Sequence, residues 1–151
     1  MRLDERECDR RVAAVVLLRA DGAALLQHRD QKAGLKHAGM WVPPGGHSEP
    51  GEPMEACARR EFAEETEYRL DALHHLLDFV DDQDPDTEPS QVTVYWSLYD
   101  GRQSLVCREG QALEFIPRAD AARYPIPVYL FEVWDRALEA YAHAGKGPCA
   151  K

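Results

Sequence analysis

The sequence predicts an α+β domain in which a mixed β-sheet has helices packed against it. Three observations support this. Apolar, β-branched runs at 11–19 and 91–99 read as strands, and a stretch of helix formers from Pro53 to Thr66 separates them. A second amphipathic stretch, 128–142, closes the chain. Strands, helix, strands, helix is an order that layers helices onto a sheet.

The elements follow in turn. Residues 11–19 (RVAAVVLLR) have the composition of a strand buried on both faces. Asp21-Gly22 is a hairpin signal, and 23–29 (AALLQHR) reads as the returning strand. After a glycine- and lysine-containing loop come Trp41-Val42 and a turn at Pro43-Pro44-Gly45-Gly46. Pro53 suits the first turn of the helix that follows. A strand is expected over 69–80, an acidic proline-containing loop over 81–90, and a short strand over 113–116. No repeat, linker or low-complexity segment interrupts the pattern.

The 151 residues accommodate one domain, 1–151, with a sizeable core. At 44% hydrophobic and 30% charged, the chain reads as globular. A formal charge of −9 argues against a nucleic-acid polymer as partner, because no basic excess neutralises phosphates. Small phosphorylated ligands remain compatible with it if cations bridge the two. Cys8, Cys57, Cys107 and Cys149 form no C-x-x-C pair, which disfavours a zinc site and fits a reducing, cytoplasmic setting. No apolar run approaches the roughly 20 residues that span a bilayer, and residues 1–10 contain no signal-peptide core.

The chemistry lies in the helix from Pro53. At 100° per residue, Met54, Cys57 and Ala58 share one face. Glu61, Glu64 and Glu65, at i, i+3 and i+4, continue that face. A solvated surface helix would put its carboxylates opposite the apolar stripe. Three like charges aimed at the body of the protein are costly unless a hard cation such as Mg²⁺ or Mn²⁺ neutralises them. Upstream, Gly45-Gly46 can bring a backbone carbonyl or amide close to a ligand.

Together these residues spell a pattern. Gly46, Glu52, Arg60-Glu61, Phe62, Glu64-Glu65 and Tyr68 resemble the Nudix box, G-x5-E-x7-R-E-U-x-E-E-x-G-U, where U is bulky and apolar. Six of the seven fixed letters are present, an agreement with a chance on the order of 10⁻⁷. Trp41-Val42-Pro43-Pro44-Gly45 also resembles the family's approach to the box. The departure is Glu67, which stands where the family has glycine, at a helix end where a left-handed cap is expected.

The resemblance implies an α/β/α sandwich and a Mg²⁺- or Mn²⁺-dependent enzyme. Its reaction would be cleavage of a pyrophosphate bond in a nucleoside diphosphate derivative, of nucleoside triphosphate or nucleotide-sugar type. It implies that Glu61, Glu64 and Glu65 hold the metal, with the Gly45 carbonyl as a further ligand. Arg60 would orient the glutamates through Glu52, and a simple i to i+4 pair with Glu64 is compatible with that. Arg108-Glu109-Gly110-Gln111 resembles the K-E-G-Q loop of MutT-like members, which makes Glu109 a base or an extra ligand, with an exposed turn as the plain alternative.

Arg29 could reach a phosphate or be a surface charge. Gly46 could approach the substrate, and Trp41 could stack on a base, although aromatic residues in strands usually belong to the core. No asparagine follows Pro125 and Pro127, so the purine-reading side chain of MutT-like enzymes is not evident. A non-catalytic nucleotide-binding or regulatory Nudix-fold domain is the alternative, although its box would ordinarily have lost glutamates. The apolar face of 128–142 could serve as core or as a homodimer contact.

Overall fold

The computed structural model describes residues 10–144. Its strands are β1 (Arg11–Leu18), β2 (Ala24–His28), β3 (Trp41–Val42), β4 (Gly45–His47), β5 (His74–Asp81), β6 (Ser90–Leu98) and β7 (Ala112–Ile116). The helices are α1 (Met54–Thr66) and α2 (Val128–Ala144), with a short 3₁₀ helix, Arg118–Arg123, between β7 and α2. The strands form one sheet in the order β3-β2-β1-β6-β5, with β4 also paired to β1 and β7 to β2. The β1–β6 pairing is parallel and the other pairings are antiparallel, so the sheet is mixed.

Successive residues of a strand face opposite sides of the sheet, and β1 shows why its sequence is apolar throughout. Ala13, Val15 and Leu17 pack with Cys57, Ala58 and Phe62 of α1. Ala14, Val16 and Leu18 pack on the other side with Leu130, Val133 and Trp134 of α2. The result is the α/β/α sandwich. Trp134 is fully buried and its indole Nε1 donates to the Gly22 carbonyl at 3.2 Å, which ties α2 to the β1–β2 turn. The apolar face of α2 is therefore core, and the alternative of a dimer contact is not needed to bury it. None of the described helices is long and apolar enough to cross a membrane. Cys57 and Cys107 are free thiols, while Cys8 and Cys149 lie outside the described residues.

Several local expectations need correction. Gly45-Gly46 is not a turn: it makes up the first two of the three residues of β4, paired with Ala14 and Ala13 of β1, and neither glycine has a positive φ. Glycine is required there for space, since a Cβ on Gly45 would meet the β1 backbone and one on Gly46 the Glu61 carboxylate. Pro53 is the residue before the helix, with ψ of 144°, not a member of the first turn. The strand expected from residue 69 begins only at His74. The preceding stretch is held by side chains instead: the Arg69 amide donates to Gln103 and the Leu70 carbonyl accepts from Arg59. The 3₁₀ helix at 118–123 was not signalled by any periodicity.

Candidate active site

The site is assembled where β4 brings the first box residues against α1. Arg60 is its main scaffold. Its Nε and Nη2 donate to the two oxygens of Glu52 at 2.8 and 2.9 Å, a fork-to-fork pair. Nη1 donates to Glu61 at 2.9 Å and reaches Glu64 at 3.3 Å, while Nη2 also caps the His47 carbonyl at 3.1 Å. One guanidinium thus locks the loop 48–53, strand β4 and the start of the acidic run together. It holds the Glu52 carboxyl down at about 2, and the Glu49 amide reinforces the effect.

The three box glutamates differ in environment. Glu65 is 4% exposed, and Gln27 of β2 donates to it from Nε2 at 2.7 Å. Burial raises its carboxyl to about 8, and the charge of Glu109 beside it adds to the effect. Glu61 is half-buried; burial again raises its carboxyl, against the pull of Arg60. Glu64 departs from the expected buried face, with a side chain 57% exposed. The helix turns it just past the protein body, and Arg60 shields it only partly.

Glu109 is exposed, but it lines the cleft beside Glu65. Its loop is latched at three points by backbone bonds: the Val106 amide to the Thr66 carbonyl, the Arg108 amide to the Glu65 carbonyl, and the Gln111 amide to the His28 carbonyl. The first two satisfy carbonyls at the end of α1 that lack helical partners. Gly110 adopts φ of 80° with its α-carbon close against the His28 carbonyl, so the R-E-G-Q segment needs glycine there. At the helix end, Glu67 adopts the expected left-handed conformation, φ 59°, with its amide bonded to the Ala63 carbonyl at 2.8 Å. Arg108 pairs with the Glu67 side chain, so the residue in place of glycine joins the helix end to the Glu109 loop.

These groups open onto a cleft of about 460 Å³ that runs across the sheet. Gly45, Gly46, Glu61, Glu65 and Glu109 line one part, and His37, Asp81 and Tyr129 another. Arg29 also lines it, and its buried Nε has no hydrogen-bond partner among the described residues. Trp41 does not line it. Its ring stacks on His28 at 4.7 Å and meets the edge of Tyr124 at 5.5 Å, so it is a core residue and not a platform for a base. Trp96 similarly packs on His74.

As the side chains stand, no three described acidic, imidazole or thiol groups are close enough to hold an ion. Unneutralised carboxylates repel, and Arg60 draws Glu61 toward itself. The donor set nevertheless fits a hard cation. Glu61, Glu65 and Glu109 are oxygen donors lining one cleft, and burial makes the charge on Glu65 costly without a counter-ion. Gln27, Lys36, His37 and Asp81 were not anticipated as site residues. Gln27 alone left a signal, as a polar residue inside an apolar strand.

A family model for the NUDIX domain matches residues 9–135. The chain belongs to the Nudix family. Solved structures of similar fold cover nearly the whole Nudix chain. A MutT NUDIX hydrolase from Burkholderia pseudomallei superimposes with a TM-score of 0.74 at 22% identity, covering 86% of this chain and 98% of its own. The NUDIX domain of Shewanella oneidensis NrtR, solved with ADP ribose, gives 0.73 at 20% identity, covering 90% of each chain. A C. elegans Ap4A hydrolase binary complex gives 0.71 at 19% identity, covering 89% of this chain and 98% of its own.

Proposed function

We propose that this Nudix chain acts as a single-domain cytoplasmic pyrophosphohydrolase. It would use Mg²⁺ or Mn²⁺ to cleave a diphosphate linkage in a nucleoside triphosphate or a nucleotide-sugar-like compound. The supporting observation is the Glu65–Glu109 pair, two carboxylates side by side in a cleft, one of them almost wholly buried. Evolutionary membership supplies the reaction class, and this pair supplies a reason for the cation.

Glu61, Glu65 and Glu109 would hold the cation from the cleft, with the exposed Glu64 and the Gly45 carbonyl as further donors. A bound dication neutralises phosphate oxygens and lowers the pKa of the attacking water. Gln27 fixes which Glu65 oxygen remains available, because its bond occupies Oε2. Glu109, on a latched loop facing Glu65, accepts the proton of the attacking water on its carboxylate. Arg60 positions Glu61 and does not touch substrate. Arg29, with its buried Nε unpartnered in the cleft, contacts a phosphate, and Gly46, whose missing side chain makes space for the Glu61 carboxylate, presents its backbone to the substrate.

Phosphate release from a panel of nucleotides, with and without Mg²⁺, tests this. Metal-dependent turnover abolished by Glu65→Gln is the expected result. A second reading is a nucleotide-binding domain without catalysis, whose cleft would take a ligand of the kind bound in the NrtR domain, which was solved with ADP ribose. Ligand binding with no turnover across the panel would support that reading and overturn the first.

A further inference from the structure

The far part of the cleft holds a feature that the hydrolytic site does not use. Asp81, the last residue of β5, is 4% exposed and lines the cleft. Its Oδ2 lies 2.7 Å from His37 Nε2, which fixes the plane of the carboxylate. Its Oδ1 is buried and accepts no hydrogen bond of good geometry among the described residues, although the Gln83 amide lies near enough to the carboxylate to help hold its pKa down. A buried carboxylate oxygen without a well-aligned donor is costly, so a site that keeps one has a use for it.

The surroundings restrict what that donor can be. The nearest cation, Lys36, is already committed: its ammonium donates to the Asp81 carbonyl at 3.1 Å, the Glu88 carbonyl at 2.8 Å and the Ser90 hydroxyl at 3.2 Å. It closes the loop before β3 over the β5–β6 connection and is not available to Oδ1. Tyr129 stands beside the position, its ring 5.7 Å from His37 and 4.9 Å from Phe79. One wall is thus aromatic and one polar atom is an acceptor, which suits the edge of a flat heterocycle.

Distance agrees. Asp81 pairs with Ser90 of β6, β6 runs beside β1, and β1 pairs with β4 through Val12 and His47. Three strand spacings therefore separate Asp81 from β4, roughly 14 Å. A diphosphate and a ribose fill that gap and bring the base to Asp81.

We infer that Asp81 is a specificity-determining residue whose Oδ1 accepts a hydrogen bond from the exocyclic amino group of the ligand's nucleobase. This rests on the cleft being a nucleotide site, as proposed above. An amino-bearing base is favoured over uracil or thymine for an electrostatic reason. Their single ring N–H is flanked by two carbonyls, and both would face the carboxylate. In cytosine the amino group has a ring acceptor on one side only, in guanine it stands beside the N1–H donor, and in adenine, where N1 and N7 flank it, it still offers two N–H bonds against the single one of uracil.

The test compares three pairs of triphosphates that differ at the amino group: cytidine with uridine, adenosine with purine riboside, and guanosine with inosine. Turnover is measured with Mg²⁺, and calorimetric binding is measured with the α,β-methylene diphosphate analogues. The amino-bearing member of at least one pair is expected to be preferred about tenfold or more, a charge-assisted hydrogen bond's worth of selectivity. In Asp81→Ala that ratio should collapse to below about threefold. Equal treatment of all three pairs by the wild-type protein overturns the inference, as does a preference that survives Asp81→Ala. The wild-type comparison needs no variant to fold. Selective binding without turnover would remove the hydrolase reading and leave Asp81 standing; turnover without selectivity would do the reverse. Binding of none of the six would remove both.

Discussion

Gln27 Nε2, on β2, lies 2.7 Å from Oε2 of Glu65, on α1, and it donates to a carboxylate that the sheet almost completely covers. The bond crosses from strand to helix. A neutral amide stabilises the charged form of Glu65 only in part, and burial together with Glu109 outweighs it.

The first prediction concerns pH and stability. A Glu65 carboxyl raised from the ordinary 4.5 to about 8 binds its proton more tightly folded than unfolded. Its stabilising effect is complete below the unfolded value and is lost as pH rises through about 8. The melting temperature of the metal-free protein should therefore fall between pH 5 and pH 8.5. Glu65→Gln should flatten that slope, and Mg²⁺ should raise the wild-type melting temperature most at the alkaline end. Scanning calorimetry in EDTA and in Mg²⁺ measures all three, and a slope unaffected by Glu65→Gln would contradict the assignment.

Glu109→Gln removes a proton acceptor and leaves the latched loop intact, since the latches are backbone bonds. Turnover should drop by about 10²–10⁴, with KM changing severalfold at most. A parallel rise in KM with kcat preserved would place Glu109 in binding instead.

Arg60→Lys keeps the charge and loses the fork that grips Glu52 and reaches Glu61 and Glu64. Mg²⁺ affinity, followed as the concentration giving half-maximal turnover, should weaken by about 10–100-fold. Circular dichroism should show the fold retained.

Gly46→Ala places a methyl group against the Glu61 carboxylate. The pairing of β4 with β1 survives, because φ at Gly46 is ordinary. Activity should therefore be lost out of proportion to stability, which paired kinetics and urea unfolding would reveal.

Much of this could be read from the chain alone. The strands of the central sheet follow from β-branched runs, and α1 from its spacing of Met54, Cys57, Ala58 and the glutamates. The left-handed end at Glu67 followed from its place in the box, although the residue is not glycine. The R-E-G-Q segment pointed to Glu109, though only the backbone latches to Thr66, Glu65 and His28 bring it to the cleft. Periodicity placed Glu64 with its neighbours, but helical phase does not report where the covering sheet ends, and Glu64 lies past that edge.

The sequence by itself determined most of the strands, both α-helices and the family, because hydrophobic period and box spacing are local properties of a chain. Tertiary structure alone decided which polar groups share the cleft. Gln27 meets Glu65 across 38 residues and His37 meets Asp81 across 44. Trp41, a plausible base platform in one dimension, is enclosed by His28 and Tyr124 in three. Burial and the satisfaction of polar atoms depend on strand order and on the register between distant segments, and no local pattern encodes either.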